Sequence, residues 1–247
     1  MLRASDVLAY TISHGDRRYL ERTIPLIRST AGCWFDWAVW LGAPSPNLER
    51  IAQESLDDPR KTGIQRLVMW KENRGQHHAT NEAMQLAKTT GYKWILRLDD
   101  DIIPKTKRFL LKMVERLGEL KNLSEDPVHR IIAAPKIVGL RNPLSPIGAI
   151  MKGQKFSVEI MDILGGACRL HPVDFLGDYI APIYDPIGRG DPQSIVEYTH
   201  QMNGLLVRFP DIRIVHRTSE LEGSESDSLK HQRVMSHVWP WLESPTV

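Results

Sequence analysis

The sequence predicts a single α/β domain in which a mixed, mostly parallel sheet is flanked by helices. Two observations carry this. Apolar runs of strand length alternate with helical spacing through the first two-thirds of the chain. No internal repeat, low-complexity run or linker divides the 247 residues, a length at which one domain is ordinary.

The elements follow in order. Val7 to Ile12 reads as a first strand, and Arg17 to Arg28 as an amphipathic helix that Pro25 should break or kink. Trp37 to Leu41 is a second strand, ended by the turn residues Gly42-Ala43-Pro44-Ser45-Pro46-Asn47. Helical spacing resumes at Leu48, Ile51 and Ala52. Ile64 to Trp70 is a third strand, leading through Glu72-Asn73-Arg74-Gly75 to a helix near Gln76 to Ala87. Its Ala79, Ala83, Met84 and Ala87 give the three-and-four spacing of a packed face. Trp94 to Leu98 is a fourth strand that runs straight into Asp99-Asp100-Asp101, with a helix from about Thr106 to Leu120 beyond it. Arg130 to Val138 is a fifth. Residues 140–157, with Pro143, Pro146, Gly148 and Gly153, read as a loop. Val158 to Leu164 reads as a strand ending at Gly165-Gly166-Ala167, and Tyr179 to Gly190 as a second loop. Ser194 to Asn203 looks helical, and Leu205 to Phe209 and Ile212 to Val215 look like two short strands. The last 30 residues are polar, with Trp239 and Trp241 as docking anchors.

Composition narrows the function classes. Lys plus Arg number 32 against 30 for Asp plus Glu, which leaves no basic excess to argue for nucleic acid. Cys33 and Cys168 lie too far apart for a metal-ligand spacing, so a reduced, cytoplasmic chain is expected. The N-terminus has no apolar core behind a basic start, and no stretch approaches the ~18 to 20 apolar residues of a membrane helix. Any membrane contact is therefore expected to be peripheral.

The three aspartates are the chemical signal. Like charges this close repel and raise each other's pKa unless a cation neutralises them. Open α/β sheets place ligands at the carboxyl ends of their strands. On an extended chain Asp99 and Asp101 point the same way, so one can reach a metal while the other holds a ribose or a metal-bound water. Hard oxygen ligands suit Mg²⁺ or Mn²⁺, which would bridge the phosphates of a nucleoside diphosphate. The competing reading is that the acids merely cap and solvate the start of the next helix.

Four segments together resemble the family 2 glycosyltransferases, the inverting transferases of the GT-A (Rossmann-like) fold. They are Leu8-Ala9-Tyr10-Thr11-Ile12 through Tyr19-Leu20-Glu21-Arg22-Thr23; Glu72-Asn73-Arg74-Gly75 with Ala79, Asn81, Ala83 and Ala87; Trp94 through Asp101 with Pro104; and Gly165-Gly166-Ala167, Gly190-Asp191 and Val215-His216 behind them. The resemblance covers most of residues 5–217. It implies a donor-binding half over 1–139, an acceptor and catalytic half over 140–218, and a tail over 219–247. It further implies that Thr11 and nearby backbone line the base pocket and that Asn73 and Gly75 face the nucleotide. Asp99 would hold the ribose or the metal's water shell, with Asp100 beside it on the donor. Asp101 and His216 would bind Mn²⁺ or Mg²⁺, and Asp191 would be the base that deprotonates the acceptor hydroxyl. An inverting transfer needs such a base and a Lewis acid at the departing diphosphate.

Two positions depart from the family. The second strand ends in Leu41-Gly42-Ala43, without the usual acidic residue, and Gly190-Asp191 stands where two acids are common. The expected function is transfer of a sugar from a nucleoside-diphosphate donor to a hydroxyl acceptor on a glycan, a lipid-linked sugar, a protein or a modified DNA base. The alternatives are a nucleotidyltransferase, for which Ser13-His14-Gly15-Asp16-Arg17-Arg18 is a poor phosphate loop, and a non-catalytic nucleotide-sugar binding protein. The remaining candidates have plainer readings. His77-His78 belongs to a helix start near phosphate or solvent, Trp34, Trp37 and Trp40 to packing, and Lys105, Lys107, Arg108 and Lys112 to a solvated helix face. Arg213 and Arg217 fit phosphate contact or solvent equally.

Overall fold

The computed structural model describes residues 6–15, 19–120, 130–139, 144–152, 156–177, 179–181 and 190–216. The tail with Trp239 and Trp241, and Arg217, lie outside them. Among the described residues ten strands form one sheet: β1 (Val7–Gly15), β2 (Asp36–Pro44), β3 (Ile64–Trp70), β4 (Trp94–Leu98), β5 (Ile102–Pro104), β6 (Ile131–Val138), β7 (Pro146–Lys152), β8 (Ser157–Met161), β9 (Cys168–Pro172) and β10 (Leu205–His216). The helices are α1 (Tyr19–Ala31), α2 (Pro46–Asp57), the single turn α3 (Pro59–Thr62), α4 (Gly75–Thr90), α5 (Phe109–Leu120) and α6 (Gly190–Gln201).

The sheet order is β3-β2-β1-β4-β9-β6-β10-β8-β7, with β5 pairing β10 off this path. β3, β2, β1 and β4 run parallel, and β9 lies antiparallel to both β4 and β6. The chain lays β2 and β3 on one side of β1 and β4 on the other. That puts the reversal of strand order at the carboxyl ends of β1 and β4, where ligands of open α/β sheets sit.

Each face of the sheet buries its own core. Val7, Ala9, Leu96 and Leu98 point to α1, α2 and α5, where Leu20, Ile27, Leu48, Phe109, Met113 and Leu117 cover them. Leu8, Tyr10, Trp40 and Ile95 point the other way, to α4 and α6. On α4 the covering residues are Ala79, Ala83 and Ala87, one per turn on one face, so this helix can lie close against the strands. Trp37 and Trp40 are core residues, as their strand spacing suggests. Trp34 is 48% exposed and lies under the Arg28 guanidinium, 4.7 Å from its ring.

Several expectations need correction. α1 runs through Pro25 unbroken. Pro25 is on the exposed face, where the carbonyl that loses its partner meets water, while Leu20, Ile24 and Ile27 hold the other face in the core. Within 140–157, read as loop, residues Pro146–Lys152 form the edge strand β7, antiparallel to β8. The two short strands at 205–209 and 212–215 are one strand, β10, whose register against β6 shifts between Phe209 and Arg213. β9 has no counterpart in the sequence reading. Arg169 and His171 alternate with Cys168 and Leu170, which suggests a half-solvated segment, yet all of them are buried.

Candidate active site

β4 brings Asp99, Asp100 and Asp101 to the reversal point, and β5 turns the chain onto β10. The pairing Ile102↔His216 then fixes the end of β10 beside the aspartates. His216 Nε2 lies 3.2 Å from Asp101 Oδ1 and 3.8 Å from Asp99 Oδ2. Ligand atoms of Asp99, Asp101 and His216 all fall within 4.8 Å of one another, a separation that one divalent ion can span. Gly139, at the end of β6, makes the close approach possible. Its φ is +92°, and a Cβ there would fall 2.6 Å from the His216 carbonyl oxygen.

The electrostatics suit a cation. Burial pushes the Asp99 carboxyl upward, but Arg97 and His216 outweigh it and hold it well below the usual carboxylate range. Burial lowers the His216 pKa, yet the bond to Asp99 and the charges of Asp101, Asp99 and Asp100 raise it on balance. Two carboxylates and one imidazole form a donor set able to hold a divalent ion.

Asp100 faces elsewhere. Its carboxylate accepts from Ser13 Oγ at 2.5 Å and its carbonyl from Thr23 Oγ1 at 2.7 Å, and it is 2% exposed. It ties the aspartate turn to β1 and α1. Thr11 is likewise buried, with its hydroxyl accepting from Trp37 Nε1 at 3.0 Å.

Asn73 and Gly75 lie at the start of α4. The Asn73 side-chain oxygen accepts from the Gly75 amide at 3.0 Å, and Gly75 takes φ +80° with nothing within 4 Å of where a Cβ would be. Gly42 packs against them from β2, its notional Cβ 2.8 Å from Asn73 Oδ1. Gly42, in the Leu41-Gly42-Ala43 stretch that lacks the acid of the resemblance, therefore makes room for Asn73. His77 is 2% exposed, which corrects its placement near solvent. His78 meets Arg74 and the edge of Trp70.

Gly165-Gly166-Ala167 reaches the same place, where the Ala167 carbonyl accepts from the Asp99 amide at 2.9 Å. Asp191 is the second residue of α6. The sequence reading passed over Arg97. Its Nε donates to Asp99 at 3.2 Å and its Nη2 to Gln76 Oε1 at 2.6 Å, which links the aspartates to the first turn of α4. The available signal was a lone arginine in an otherwise apolar strand, two residues before the first acid.

No family model matches the sequence, and no curated protein matches it. Solved structures do match. A mannosyltransferase from Pyrobaculum calidifontis in complex with GDP-Man and Mn²⁺ is similar over 96% of this chain and 65% of its own, at 14% identity and a TM-score of 0.60. S. aureus TarS is similar over 92% of this chain and 39% of its own, at 13% identity and a TM-score of 0.61. GalNAc-T7 with UDP, GalNAc and Mn²⁺ is similar over 84% and 43%, at 14% identity and a TM-score of 0.59. The chain thus spans less than two-thirds of the length of each. Among the described residues no helix is long and apolar enough to cross a membrane. The mixed α/β domain, with its mostly parallel central sheet flanked by helices, has the GT-A fold of these glycosyltransferases.

Proposed function

We propose that this chain is a metal-dependent, inverting glycosyltransferase of the family 2 type, which moves a sugar from a nucleoside-diphosphate donor to a hydroxyl acceptor. The observation that carries the reading is the gathering of Asp99, Asp101 and His216 within 4.8 Å at the point where strand order reverses. Asp101 and His216 would hold Mn²⁺ or Mg²⁺. Asp99, kept ionised by Arg97, would take the ribose or a water of the metal shell. A bound ion would supply positive charge at the departing diphosphate. Asn73 and the Gly75 amide border the nucleotide crevice, and Asp191 takes the proton of the acceptor hydroxyl as its oxygen attacks the anomeric carbon. The matched transferases determined with UDP and with GDP-Man support a nucleoside-diphosphate donor.

Calorimetric titration of UDP, GDP, ADP and dTDP, with and without Mn²⁺, on wild type and Asp101→Ala tests this. One nucleotide should bind in a manner that needs both the ion and Asp101, which also names the donor base. No metal-dependent binding of any of the four would overturn the reading.

A further inference from the structure

Three cations stand side by side across the strands that lead to His216. Lys136 of β6 is paired with Arg213 of β10. Lys105, one residue past the end of β5, lies on the other side of Arg213, and its amide donates to the Arg213 carbonyl at 2.9 Å. All three are exposed. On β6 the face turned to α6 carries Ile132, Ala134 and then Lys136, while Ile214 belongs to the opposite core, so Arg213 shares the Lys136 face. Neighbouring strands are about 4.8 Å apart, which makes the row about 10 Å wide. Arg213 precedes His216 by three residues (213 to 216), roughly 10 Å along β10.

Like charges directly opposite one another in a sheet repel. The acids beside β10 do not relieve them, since Glu159 is taken by Arg208 and Asp211 by Arg116. Arg108 is matched to Glu115, whereas none of Lys105, Lys136 and Arg213 has an acidic partner among the described residues. Beside Lys136 the surface opens into a cavity of about 170 Å³ that Ala134, Leu144, Leu164, Gly165 and Arg208 help to line. Gly165 begins the stretch whose Ala167 carbonyl accepts from the Asp99 amide. Row and cavity thus adjoin the aspartate turn from the β6 and β10 side, at the other end of the strand order from β2, β3 and the nucleotide crevice.

We propose that Lys105, Lys136 and Arg213 bind a phosphate group carried by the acceptor, so that the hydroxyl compound taken by this site is a phosphorylated one. Its catalytic sense rests on the transferase reading; the phosphate site itself does not. A carboxylate brings one charge to three cations, whereas a phosphomonoester brings about two, with three acceptor oxygens. An arginine supplies the bidentate contact that phosphate accepts, and the lysines on either side supply point charges. An anionic lipid surface fits less well, because the clusters that hold one number about four to eight cations.

Glucose 6-phosphate, glucuronate and glucose are titrated calorimetrically at low ionic strength, without metal or nucleotide, into wild type, Lys136→Gln, Arg213→Gln and Arg66→Gln. Arg66 is an exposed cation of β3, at the far edge of the sheet, and controls for the loss of one charge. Glucose 6-phosphate should bind wild type at least about tenfold more tightly than glucuronate does. Either row substitution should weaken it about tenfold or more, and Arg66→Gln by less than about twofold. Because the row repels itself, the row variants should melt no lower than wild type without ligand, and should lose the rise in melting temperature that glucose 6-phosphate gives wild type. Their Mn²⁺-dependent affinity for UDP and GDP should stay within about twofold. Nucleotide release from UDP-N-acetylgalactosamine and GDP-mannose should be faster with glucose 6-phosphate or ribose 5-phosphate than with glucose or ribose, and the row variants should raise the KM for the sugar phosphate about tenfold.

Equal binding in all four proteins, or none in wild type, would overturn the phosphate site, and glucuronate bound as tightly would overturn the choice of phosphate. Weaker nucleotide affinity in the row variants would assign the row to the donor diphosphate instead. Row-dependent binding to phosphatidylcholine vesicles containing phosphatidylserine, without binding of the sugar phosphate, would make it a membrane contact. Release no faster with sugar phosphates than with sugars would take the phosphate off the acceptor. A wild type that binds glucose 6-phosphate through the row but binds no nucleotide defeats the transferase reading and leaves the phosphate site standing.

Discussion

His216 Nε2 lies 3.2 Å from Asp101 Oδ1 because Ile102 and His216 are paired across β5 and β10. A strand formed from the end of the described chain thus brings a histidine to the aspartate turn, completing the ligand set proposed above. His216→Ala should weaken binding of Mn²⁺ alone by at least about 10- to 100-fold, the loss typical even of residues that only support a metal's ligands. Titration of free Mn²⁺ by its electron paramagnetic resonance signal measures this without any nucleotide. Equal affinity in the variant would remove His216 from the ligand set.

Gly139 makes the same geometry sensitive to a single methyl group. A Cβ at this position would fall 2.6 Å from the His216 carbonyl oxygen, and the φ of +92° is one that L side chains resist. Gly139→Ala should destabilise the fold by about 1–3 kcal/mol and displace the end of β10. Its Mn²⁺ affinity should fall further than its melting temperature alone would explain. A variant that loses stability but keeps wild-type affinity would show that β10 tolerates the shift.

The parts of this molecule that were legible in its sequence are those where local pattern and tertiary role agree. Trp94 to Leu98 and Ile64 to Trp70 appear as strands over their full spans, because an apolar run flanked by turn residues has few other solutions. β9 was illegible because Arg169 and His171 are buried by the sheet around them, and no local pattern records that. The aspartates could be singled out as a cluster, but their division of labour could not. Asp100 turns to Ser13 and Thr23, residues brought to it by β1 and α1, while Asp99 and Asp101 turn to His216. Arg97 escaped notice for the same reason, since its partner Gln76 comes from another element.

Gly42 bears on the proposed nucleotide crevice. An acid placed there by Gly42→Asp would set a Cβ 2.8 Å from Asn73 Oδ1, the atom that accepts from the Gly75 amide. The substitution should therefore displace Asn73 and loosen the start of α4 instead of gaining a base contact. Nucleotide affinity in the presence of Mn²⁺ should fall at least about tenfold, roughly the loss of one well-placed polar contact. Calorimetry of the preferred nucleotide decides it, and tighter binding by the variant would show that the crevice still accommodates the acid.

His171 makes the fold sensitive to acid. It is 1% exposed, and neither ring nitrogen has a hydrogen-bond partner among the described residues. Burial, with Arg169 and Arg97 nearby, holds its pKa well below the ordinary histidine value. The folded protein therefore keeps His171 neutral at pH values where the unfolded chain binds a proton. Stability from this residue is complete above about pH 6.5 and is lost as pH falls towards the depressed folded value, at up to about 1.4 kcal/mol per pH unit. His171→Leu removes both the proton uptake and two unmet polar atoms, and fits a face already lined by Ile95 and Ile132. Urea unfolding at pH 7.5 should find the variant at least as stable as wild type. At pH 5.5 its advantage should be larger by about 1 kcal/mol. Stability curves that run parallel between the two pH values would mean that His171 is protonated, or exposed to water, in the folded state.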